Sequence, residues 1–103
     1  MAGKLVVLYG QPDDPAAFEA HYLLTHVPLV KATPGVRSLT TNATAVMTPT
    51  GPSDFYRVCT VTWDSLAATH AALKSGPGAA AAADLGNFAT GGATILVYED
   101  LEL

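Results

Sequence analysis

Cysteine occurs once, at Cys59, so the chain can form no internal disulfide and has no thiolate cluster for zinc or an iron–sulfur centre. Charge is scarce as well. Only 14% of the residues are charged, and five Lys and Arg stand against nine Asp and Glu, a formal net charge of −4. A protein that grips the phosphates of a nucleic acid needs a basic stripe, and none is present. No apolar run approaches the roughly 18 residues of a membrane span. The apolar stretch from Leu5 to Tyr9 is too short for the core of a signal peptide. Glycine-rich dinucleotide and phosphate-binding patterns, the GxSxG elbow and a paired-carboxylate spacing are missing too. These absences direct expectation to a cytoplasmic chain with no nucleic-acid or membrane partner. What the chain has is hydrophobic residues, 50% of its 103 positions, about enough for one domain over residues 1–103.

The order of elements follows from turn and capping signals. Residues 4–9, KLVVLY, read as a strand closed by Gly10. Asp14 is a good N-cap, Pro15 suits the first helical position, and Thr33-Pro34-Gly35 stops a helix that should run over residues 15–31. A Thr-rich strand is expected over residues 36–47, a loop over 48–53 and a third strand over 55–63. Asp64-Ser65 opens a helix over residues 66–74, and Gly76-Pro77-Gly78 should end it. The alanine run at 79–83 adds a further turn or two. Asp84 to Phe88 then read as a polar step towards the Gly91-Gly92 turn and a last strand over 94–99. The resulting β-α-β-β-α-β order is that of an α+β, ferredoxin-like fold with an antiparallel four-stranded sheet.

A sheet with one wet face alternates cleanly between apolar and polar residues. The first strand instead runs Leu5-Val6-Val7-Leu8 and the last Ile95-Leu96-Val97-Tyr98. Both faces call for cover, and the helices suffice for one. A second copy of the sheet, in a homodimeric α+β barrel, is the expected cover.

Phe18, Tyr22 and His26 fall four apart on one helix face. Pro28 removes an amide donor and strikes the carbonyl of Leu24, which must bend or loosen the helix beside His26. His21 and His26 stand about 140° apart on an α-helix, a poor arrangement for one metal ion, so His21 and His70 are expected to be exposed helix residues. Asp84 is placed to orient His26 across the fold or to cap a helix, and Tyr9 to line a cavity or the core. Cys59, mid-strand, reads as a buried inert thiol.

The stretch FEAHYLLTHVPLVKATPG, the WDS before the second helix and AAAAADLGNFATGG before the last strand together resemble the EthD family over residues 4–100. Its most specific parts here are His21 to Leu29 with Pro34-Gly35, and Asp84 to Phe88. The resemblance implies a dimeric α+β barrel that handles a small hydrophobic molecule. It raises His26, Tyr22 and Asp84 as catalytic candidates, with Tyr9, Phe88 and Phe18 as substrate-binding ones. The reading is a cofactor-independent enzyme doing proton chemistry beside a carbonyl or aromatic oxygen, with no metal. Its alternatives are a non-enzymatic accessory or metabolite-binding dimer, and a haem-binding barrel with His26 as axial ligand.

Overall fold

A computed structural model describes all of residues 1–103. Its central strand is β1 (Gly3–Gly10), which pairs antiparallel with β5 (Phe55–Trp63) on one side and β6 (Ala93–Glu99) on the other. Strand β2 (Ser38–Thr41) lies outside β5, giving the order β2-β5-β1-β6 in a four-stranded sheet. Side chains alternate strictly along β1. Leu5, Val7 and Tyr9 are buried opposite Val61, Cys59 and Arg57, whereas Val6 and Leu8 are half-buried on the other face. The fold is the ferredoxin-like one expected, with both helical connections on the Leu5–Val7–Tyr9 face.

The expected first helix is one continuous helical path made of three pieces: α1 (Pro15–His21), a π-helical turn (Tyr22–His26) and α2 (Val27–Lys31). Asp14 caps its start, accepting the Ala17 N–H at 3.2 Å. Pro28 is the physical reason for the widened turn. In a regular helix its ring would press on the carbonyl four residues back. The π turn, closed by the Val27 N–H on the carbonyl of Tyr22, relieves that crowding without a break.

Three expectations need correction. The second strand stops at Thr41, not at residue 47, because the Asn42 side chain takes over the backbone bonding: its Oδ1 accepts the Val58 N–H at 2.9 Å and its Nδ2 donates to the carbonyl of Thr44 at 2.8 Å. Within the expected loop, β3 (Met47–Thr48) and β4 (Gly51–Pro52) form a small hairpin. Finally, Gly76-Pro77-Gly78 begins a helix in addition to ending α3 (Leu66–Lys74). Ser75 caps the new helix α4 (Gly76–Phe88), accepting the Gly78 N–H at 3.1 Å, and proline is tolerated in a first turn. Asp84, Asn87 and Phe88 are therefore helical residues and no loop lies there.

Candidate functional site

Alpha-helical spacing would keep His21 and His26 on different faces. A turn closed by i to i+5 hydrogen bonds brings residues five apart nearly into line, and both rings reach Asp84 on α4. His21 Nε2 stands 2.8 Å from Asp84 Oδ1 and His26 Nδ1 stands 2.9 Å from Asp84 Oδ2. Asn87, one turn further along α4, donates from Nδ2 to Oδ1 at 3.0 Å. His26 and Asp84 are buried, and His21 is partly open to solvent. Sequence reasoning left His21 on the outside. The available signal was Pro28, which marked a distortion in the helix but not its kind.

The hydrogen bonds determine the protonation pattern. An ionised carboxylate only accepts, so all three neighbours must donate. Neutral His26 therefore carries its proton on Nδ1, which leaves the Nε2 lone pair free. Burial alone would push the Asp84 carboxyl up, but the hydrogen bonds from Asn87, His21 and His26 outweigh it and hold the group below its usual range. For His26 the balance is reversed. Burial lowers its basicity, the hydrogen bond and charge of Asp84 restore part of it, and positive charge on His21 lowers it again, so the ring is kept more neutral than usual.

His26 also lines a cavity of about 90 Å³ between the sheet and α2, α3 and α4. Its walls are almost wholly apolar, with Val61, Trp63, Leu73, Leu85 and Ile95 among them. Tyr9 and Cys59 line it too, and the Tyr9 hydroxyl is buried without any hydrogen-bond partner. Burial pushes the Tyr9, Tyr22 and Cys59 groups up, so all three stay protonated near neutral pH and the thiol is not a resting nucleophile. Tyr22, Phe18, Phe88 and Asp84 do not line this cavity. They form the packing behind His26: the rings of His26 and Phe88 are 4.7 Å apart, those of Tyr22 and His26 5.9 Å, and those of Phe18 and Tyr22 5.6 Å. His70 is exposed. Arg57, unremarked in the sequence, is buried opposite Tyr9 with its guanidinium 4.7 Å from the Tyr22 ring, bonded to Thr41 and Glu19. No group of three or more His, Cys, Asp or Glu side chains is arranged to hold a metal ion.

The EthD domain model matches residues 11–92, most of the chain and all of the helix and carboxylate elements just described. The chain belongs to the EthD family. An 11.0 kDa protein from the thcB–thcC intergenic region of Rhodococcus erythropolis is 36% identical over 97 residues, covering 94% of this chain and 93% of that one. The crystal structure of an EthD family protein from Bacillus halodurans superposes with a TM-score of 0.88 at 35% identity, over 98% of this chain and 100% of that one. SnoaB, a cofactor-independent oxygenase from Streptomyces nogalater, shares the fold at a TM-score of 0.70 with 17% identity, over 99% of this chain and 95% of that one.

Proposed function

We propose that this EthD chain is a cofactor-independent enzyme that moves a proton on a small, largely apolar molecule carrying a carbonyl or phenolic oxygen. One observation carries the reading: a buried histidine, held by Asp84 with its Nε2 lone pair free, lines a cavity that is otherwise nearly all apolar. In this reading His26 Nε2 accepts the proton from a carbon next to the oxygen-bearing centre. Asp84 holds the ring and stabilises the imidazolium that forms. The unpartnered Tyr9 hydroxyl donates to the developing oxyanion. Tyr22, Phe18 and Phe88 act through packing, keeping the imidazole in place. The fold accommodates cofactor-free chemistry elsewhere, as SnoaB shows for its own substrate.

The working unit in this proposal is a homodimer in which residues 1–103 form one domain. The molecule is a slab only 18 Å through its thinnest direction, with Leu96 49% and Tyr98 48% exposed beside Val6 and Leu8 on the uncovered face. Laying a second sheet over that face removes this apolar surface from water.

The test uses exchange of α-protons. The protein is incubated in heavy water with a panel of small cyclic ketones, lactones and phenols, and deuterium uptake is followed by NMR. Wild type should accelerate uptake for at least one member, and His26→Ala should lower that rate by roughly 10²–10⁴. Equal rates for the two proteins would remove His26 from the chemistry. Binding of a panel member with no exchange in wild type would favour the non-enzymatic binding dimer.

A further inference from the structure

Asp84 holds one imidazole at each of its two oxygens, and the two rings open on different spaces. His26 lines the inner cavity, whereas His21 lines a separate hollow of about 240 Å³ with Asp13, Asp14, Asn87 and Thr90. No residue of one lining belongs to the other. The His21 side chain is 28% exposed against 6% for Asp84 and for His26, so His21 is the ring of the pair that solvent reaches. The π turn that brings His21 to Asp84 departs from the regular helix, and such turns are frequent at functional sites.

Resting on the reading of His26 as the base, we propose that His21 is a positioning residue that guards it: a proton taken up by His21 pairs with Asp84 and keeps His26 neutral, with Nε2 open to the cavity. The proton balance is simple. His21 gains one proton at Nδ1 from solvent, its Nε2–H continues to donate to Asp84 Oδ1, and nothing crosses to His26. A second proton on His26 would place two cations on one carboxylate, which their mutual repulsion opposes. The surrounding elements do not reverse this. From α4 the charged group facing His26 is Asp84, and Asn87 is neutral. From β1 and β5 come Tyr9 and Cys59, both protonated, and the fixed cation Arg57, which is paired with Glu19 of α1. Tyr22, next to His26 on the π turn, is neutral as well. The consequence is a base that stays available to lower pH than the His26–Asp84 pair would allow without His21.

Ring nitrogen NMR of the full-length, isotope-labelled protein, titrated from about pH 8 down to about pH 4.5, tests this without any substrate. In His21→Gln, whose side-chain amide can keep an N–H on Asp84, the His26 midpoint should rise by about half to one pH unit. In wild type the His26 signals should move in two steps, one of them coinciding with the titration of His21. An unchanged midpoint in the variant overturns the proposal, and so does a one-step His26 curve in wild type. If the variant fails to fold, the wild-type curve alone decides. Failure of the exchange test with this coupling present would overturn the catalytic reading only, and the reverse result would overturn the guarding role only.

Discussion

Tyr9 and Asp84 use burial in opposite ways. The Asp84 carboxylate has its lone pairs engaged by three donors, whereas the Tyr9 hydroxyl, equally buried, has no partner. A buried unpaired hydroxyl destabilises the fold by about 1–3 kcal/mol. Tyr9→Phe should therefore raise stability in urea denaturation by about 1 kcal/mol, and under the proposed function it should slow proton exchange by tenfold or more. Lower stability with unchanged exchange would show that the hydroxyl is only structural. Asp84→Asn should act through the tautomer. Its amide can offer N–H where His26 needs an acceptor, turning the imidazole proton onto Nε2 and lowering exchange by roughly 10³ or more. Full exchange activity in Asp84→Asn would remove Asp84 from the mechanism. Acid sensitivity follows from the same groups. Both His26 and Asp84 bind protons less readily when folded than when unfolded. The unfolded chain thus takes up more protons, and stability falls as pH drops below about 6.5 through His26 and again below about 4 through Asp84. Denaturant midpoints at a series of pH values check this, and a midpoint flat across that window would contradict it.

The first helical path shows how a single residue can redirect several others. Without the π turn forced beside Pro28, His21 would point away from Asp84, and the carboxylate would serve one ring instead of two. Helix α4 depends on a close approach of a different kind. A Cβ at Gly78 would run into the backbone carbonyls of Ala72 and Leu73 at the end of α3. Gly78→Ala would gain about 1 kcal/mol in helix propensity. The collision is with backbone that cannot swing aside, so a net loss of about 1–3 kcal/mol is expected in chemical denaturation. A stabilised variant would mean that α3 and α4 can move apart. Since α4 carries Asp84, such movement should also perturb the His26 ring signals.

At the scale of the whole molecule, the sheet is covered on one side by helices and open on the other. Strand β6 is exposed along its full length. If a second copy supplies the missing layer, light scattering with size-exclusion chromatography should give twice the chain mass at micromolar concentration. Leu96→Asp, on the open face beside Val6, should shift the elution to the monomer while leaving the far-ultraviolet circular dichroism unchanged. A wild-type monomer at that concentration would remove the dimer from the proposal, and the site, which is built within one chain, would stand without it.

The element order, the antiparallel four-stranded sheet and the caps at Asp14 and Ser65 were legible in the sequence because each is set by local chemistry: turn residues, side-chain acceptors and the period of apolar positions. His26 and Asp84 were legible as candidates for the same reason, one beside a helix-disrupting proline and the other in a polar break of an alanine run. Three-dimensional packing alone decided the rest. It converted the proline's crowding into a wider turn, carried α4 through Asp84 to Phe88 and set one carboxylate between two imidazoles. It also buried Arg57 against the Tyr22 ring. The two histidine–Asp84 contacts join side chains 58 and 63 positions apart in the chain, and no local periodicity encodes which lone pair meets which proton.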